Sequence, residues 1–139
     1  MMHRLAAGIG MLLLASAAFA EVAGPSASDP STDPSTDPST GRATFEALCV
    51  NCHGPLGQGD GPAGRDLLPV PRDFTVGQFK FDADGDGQTG TDDDLFLVIR
   101  DGAGPAGGNP LMAAWGHLGD DQVRALVAYV RSLQGAKAD

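Results

Sequence analysis

Apolar side chains recur at three- and four-residue spacing in three separate stretches of the chain, and no stretch alternates as a strand would. In the first, Phe45, Leu48 and Cys49 share a face, which predicts a helix over residues 42–49 that delivers Cys49 at its end. In the second, Leu95, Val98 and Ile99 share a face after Thr91 and Asp94, whose spacing is that of a capping box. Aspartates in that first turn suit the positive end of a helix, and Gly102 can close it. The third and clearest helix covers residues 120–133, with Val123, Leu126, Val127, Val130 and Leu133 in one stripe and Gly135 just beyond. Long Gly- and Pro-rich loops separate these helices, at 54–71 and 102–110. Such loops are too extended for an ordinary small helical domain, and a large prosthetic group would explain what they wrap.

The segments in front of these helices do not read as part of a core. His3 and Arg4, the apolar run 9–14 and Ala18-Phe19-Ala20 form a secretory leader with cleavage expected after Ala20. The apolar run is shorter than the roughly 20 residues needed to span a bilayer, so stable membrane insertion is not expected. Three copies of Asp-Pro-Ser-Thr at 29–40 have almost nothing to bury. The chain therefore divides into a leader (1–20), a disordered repeat linker (21–40), one folded domain (41–135) and a short tail (136–139).

Loss of the leader leaves eight basic against 18 acidic side chains, a formal charge of −10, and leaves Met112 as the one methionine beside His53 and His117. So acidic a chain is a poor nucleic-acid ligand, because phosphate contacts need Lys and Arg. A partner steered by charge should present a basic docking surface.

Cys49, Cys52 and His53 form a Cys-x-x-Cys-His run. That spacing lets two thiols add to the two vinyl groups of a haem while the next imidazole reaches the iron. A structural zinc site would want a second ligand pair, and a thioredoxin-like pair would want a strand–helix–strand setting. A plain disulfide would leave the adjoining histidine and the long loops without a reason. The run therefore points to one covalent haem c in an exported, periplasmic protein.

Cys52 to Pro62 (Cys-His-Gly-x-x-Gly-x-Gly-Asp-Gly-Pro), Pro71-Arg72-Asp73-Phe74, Lys80-Phe81 and Asp94-Leu95 resemble a bacterial branch of the small soluble mono-haem cytochromes c. The resemblance covers residues 41–133. It implies an all-α cytochrome c fold in which N- and C-terminal helices cross, Phe45 against Tyr129, with the small Gly41 allowing close approach. It also places Met112, in Met-Ala-Ala-Trp, where the family carries its second axial ligand, although Ala113 replaces the usual proline. His117 is the alternative ligand, and an open or exchangeable sixth position is the third option. Pro62 matches the family's Gly-Pro, whose carbonyl accepts a hydrogen bond from the proximal imidazole. Trp115, Arg72 and Lys80 are candidates to meet a haem propionate.

Residues 82–93 carry carboxylates at positions one, three and five, glycine at six and an acid at twelve. Those are the features of a calcium loop, with Asp82, Asp84, Asp86 and Asp93 as side-chain ligands and Gln88 through its carbonyl. Asp at position twelve is shorter than the usual Glu, and no helix precedes the loop; a solvated acidic turn is the competing reading.

With one attachment motif and no nucleophile–base constellation, the expected role is that of an electron carrier between redox proteins rather than an enzyme. The alternatives are a haem-bearing subunit of a separate oxidoreductase and a haem ligand sensor. The sequence does not specify donor, acceptor or oligomeric state.

Overall fold

Helix α1 spans Pro38–Leu48 and so begins inside the last Asp-Pro-Ser-Thr copy, earlier than hydrophobic spacing alone suggested. The cause is local. The Asp37 side chain accepts a hydrogen bond from the Ser39 amide at 2.9 Å, and Pro38 occupies the first turn, where its missing N–H costs nothing. The same Asp-Pro pair that reads as spacer by composition is a helix start by chemistry, so the folded domain begins before residue 41. The computed structural model describes residues 37–136; the segment expected to be a leader and the rest of the expected linker lie outside the described residues.

A single non-helical residue, Cys49, separates α1 from α2 at Val50–His53. Helix α3, Asp92–Asp101, has both halves of the capping box formed by Thr91 and Asp94. A short 3-10 turn at Gly116–Leu118 leads into α4 at Asp120–Ser132. No strand occurs among the described residues.

The crossing of α1 over α4 holds the domain together. Phe45 and Tyr129 meet at 5.1 Å between ring centroids, as the resemblance implied. A Cβ on Gly41 would overlap the carbonyl of Ala125 and stand 2.9 Å from the Tyr129 Cβ, so only glycine permits this approach. Phe45, Val123, Leu126, Val127 and Val130 are buried at the crossing, joined by Leu95 and Phe96 from α3. Each such side chain is worth about 1.5–3 kcal/mol of burial. Arg131 of α4 reaches back over the Phe79 ring at 4.9 Å and donates to Asp92 and to the Gly90 carbonyl, both at 2.6 Å. It thereby fixes the loop that enters α3. The result is an all-α cytochrome c fold with long loops between crossing helices.

Candidate functional site

Cys52 and His53 lie on one short turn of helix, their amides donating to the Cys49 carbonyl at 3.1 and 2.9 Å. The glycine-rich segment then folds back over that turn: the Gly59 amide donates to the His53 carbonyl and the Ala63 amide to the Asn51 carbonyl. The approach is close enough that a Cβ on Gly61 would stand 2.5 Å from the Asn51 carbonyl oxygen, which explains the glycine there. Cys49 and Cys52 both carry free thiols. Burial, with a smaller contribution from Cys52, pushes the Cys49 thiol up to about 11.

Both cysteines and His53 face a cleft that Met112 also lines, and whose walls are otherwise dominated by apolar side chains such as Phe74, Leu95, Ile99 and Leu126. The Met112 loop is held by its own backbone: its amide donates to the Asn109 carbonyl at 3.1 Å and its carbonyl accepts from Ala103 at 3.3 Å. Asn109 completes the support, its side chain accepting from the Leu111 amide and donating to the Pro69 carbonyl across the cleft mouth. Sequence reading did not single out Asn109; its Pro69 contact spans 40 residues and has no local signature. His117 is exposed, tilted against Trp115 at 5.7 Å, and does not line the cleft.

Burial pushes the His53 imidazole below its ordinary range against an opposing hydrogen bond to the Arg72 carbonyl, which favours the neutral ring. With Nδ1 donating to that carbonyl at 3.2 Å, the other ring nitrogen keeps a lone pair for a metal. This corrects the role expected of Pro62, which is exposed and outside the cleft. Arg72 supplies the acceptor instead, because the Phe74 amide bonds the Gly57 carbonyl at 2.7 Å and draws residues 72–74 across the imidazole. The Phe74 ring stacks on His53 at 4.6 Å between centroids and 19° between planes. Arg72, Lys80 and Trp115 all line the cleft.

The acidic loop is only partly as expected. Asp82, Asp84 and Asp86 converge, one carboxylate oxygen of each lying within 4.8 Å of the others. Asp93 does not join them; its carboxylate faces Arg124 at 3.7 Å. One residue further along α3 the direction changes by about 100°, the angle implied by 3.6 residues per turn, and it is Asp94 that reaches the loop, accepting from the Ala83 amide at 2.5 Å. Gln88 uses its backbone and side-chain amides to donate to Asp86, at 2.7 and 3.0 Å.

The donor set at the cleft fits a haem c: two free thiols, a neutral imidazole and a thioether share one predominantly apolar wall system. Comparison with known proteins agrees. No curated protein sequence matches the chain. Among solved structures, a chain of the "Kuenenia stuttgartiensis reducing HAO-like protein complex Kustc0457/Kustc0458" is similar, with 34% identity and a TM-score of 0.57 over 68% of this chain. The match spans 41% of that chain's own length. The family described as "Cytochrome C oxidase, cbb3-type, subunit III" matches residues 36–130, the greater part of the sequence, and the chain belongs to that family of cytochrome c domains.

Proposed function

We propose that the chain is an exported, periplasmic one-electron carrier holding one haem c through Cys49 and Cys52, with His53 and Met112 as axial ligands. The convergence of these four side chains on one apolar cleft supports this reading above all. When bound, haem supplies a ferrous–ferric couple and no substrate chemistry. The chain's own residues do the rest. The two thiols tether; His53, held neutral, presents a lone pair; the Met112 thioether favours the ferrous state relative to a second imidazole. The predominantly apolar wall would limit water around a bound haem, and Arg72, Lys80 and Trp115 stand where propionates could be met. The leader at 1–20 supports export, and the acidic balance suits partners with a basic docking surface. Among the described residues no helix is long and apolar enough to cross a membrane.

A second reading, a non-catalytic electron-transfer subunit of a separate oxidoreductase, is supported by the family's description as an oxidase subunit and by the likeness to a chain from a protein complex. Purification at rising salt separates the two: a carrier leaves its partners, whereas a subunit co-elutes at fixed stoichiometry. Acid–acetone extraction tests the common core. Haem retained by the protein at one iron per chain is expected; haem lost to the solvent defeats the proposal.

A further inference from the structure

His53 is constrained on more sides than ligation alone requires. Its Nδ1 is tied to the Arg72 carbonyl at 3.2 Å, and two residues later the Phe74 ring lies nearly parallel to the imidazole, 4.6 Å away. Phe74 is itself pinned. Its amide bonds the Gly57 carbonyl at 2.7 Å, Phe45 meets it edge-on at 6.2 Å, and Phe79 stacks with it at 6.1 Å. Gly57 sits at φ +73°, and a Cβ there would come within 3.1 Å of the Phe74 ring, so backbone and ring are packed against each other. A ring packed among His53, Phe45 and Phe79 and tethered by its own backbone has little room to swing, and a flat partner on His53 resists rotation of the imidazole in a way that an aliphatic side chain of similar volume would not.

We infer that Phe74 is a positioning residue for the proximal imidazole: its stacked ring, together with the hydrogen bond to the Arg72 carbonyl, fixes the plane in which His53 is presented to the cleft. The inference rests on His53 being the axial ligand and goes beyond that reading by assigning Phe74 a share in the electronic state of the iron. Imidazole orientation and the strength of the Nδ1 hydrogen bond are both levers by which a protein tunes a bound metal.

The test compares Phe74→Leu, Phe74→Tyr and Val123→Ala in the haem-loaded full chain, reading the ferric haem-methyl proton shifts, the reduction potential and the melting temperature. Imidazole orientation sets the order and spread of the methyl shifts, which a purely structural role would leave alone. Phe74→Leu is expected to reorder the shifts and move the potential, while Phe74→Tyr, which keeps the plane, retains the wild-type order. Val123→Ala opens the buried core at a position that does not line the cleft and should lower the melting temperature with the shift order intact. Wild-type shifts and potential in Phe74→Leu overturn the inference, as does an equal reordering in Val123→Ala. If Phe74→Leu fails to fold, loss of the wild-type order in Phe74→Tyr overturns it. A wild-type chain that holds no covalent haem would instead refute the cytochrome reading itself.

Discussion

The carboxylate of Asp94, in the first turn of α3, accepts a hydrogen bond from the backbone amide of Ala83, eleven residues earlier in the chain. The same carboxylate accepts from the amide and hydroxyl of Thr91, at 2.8 and 2.9 Å, and from the Asp84 amide at 3.4 Å. One side chain thus caps a helix and closes the acidic loop. Replacing Asp94 with Ala should remove a cap worth about 1 kcal/mol and orphan part-buried donors at roughly 1–3 kcal/mol. A loss of about 2–4 kcal/mol in chemical denaturation is expected; a loss within error would show that water replaces the carboxylate at no cost.

Asp94 also predicts a pH dependence. Burial pushes its carboxyl up, but hydrogen bonds from Thr91, Ala83 and Asp84 outweigh burial and hold it below 3.8, the ordinary value. A carboxyl depressed in the folded state contributes stability that is complete above its unfolded value and is lost as pH falls through the folded one. Melting temperature should therefore hold steady down to about pH 4 and drop below it. Asp94→Asn should flatten that acid limb; an unaltered limb would place the acid sensitivity elsewhere.

At the crossing of α1 and α4, Gly41→Ala is expected to destabilise strongly, because its Cβ would meet backbone, the Ala125 carbonyl, rather than a side chain free to move. Overpacking of this kind costs about 1–3 kcal/mol, and in a domain of this size each kcal/mol lowers the melting temperature by roughly 4–8 °C. Arg42→Ala on the adjacent exposed position, which loses an ion pair to Glu46, should change little. Equal effects of the two substitutions would mean that the helices can separate without penalty.

What the sequence made legible and what it hid differ in physical kind. The Thr91–Asp94 box, the stripe from Val123 to Leu133 and the Cys49–Cys52–His53 run are local, and spacing along one chain segment is enough to find them. Composition hides the start of α1, because it averages over the Asp37–Pro38 pair that nucleates it. The acceptor for His53 is hidden because a backbone carbonyl leaves no trace in the sequence; every residue has one, and only the path of 71–74 selects Arg72 over Pro62. Asp93 satisfied the twelve-residue count of a calcium loop, but a helix had already begun, and its geometry turned the next carboxylate to the loop instead.

That substitution of Asp94 for Asp93 bears on calcium. Asp82, Asp84 and Asp86 accept amide hydrogen bonds from Gly87, Asp86 and Gln88, and Asp93 faces Arg124. The loop is closed by protein donors, without the bidentate carboxylate that completes such a coordination sphere. Melting curves in millimolar calcium and in chelator, at matched ionic strength, are expected to superimpose. Binding at a hundredfold excess over the dissociation constant would add about 2.7 kcal/mol, so a calcium-dependent rise in melting temperature would be plain and would restore the loop as a cation site.

The sixth ligand gives the sharpest separation of outcomes, because Met112 lines the cleft and His117 does not. Met112→Ala should abolish the weak near-infrared sulfur-to-iron band of the ferric protein and lower the potential, since water or a stronger donor than a thioether would take the position. His117→Ala should leave both unchanged. Asn109→Ala keeps the thioether but removes the side chain that accepts from Leu111 and reaches Pro69 across the cleft mouth. With Ala113 in place of a stiffening proline beside Met112, those two hydrogen bonds carry more of the burden of holding the loop closed. The Asn109 variant should therefore retain the band at low temperature yet bind carbon monoxide faster than wild type when reduced, as the loop opens more often. A wild type without the band, together with an iron spectrum altered by His117→Ala, would move the ligand to His117. Unchanged carbon monoxide kinetics in Asn109→Ala would mean that backbone contacts to Ala103 and Asn109 suffice to hold Met112 in place.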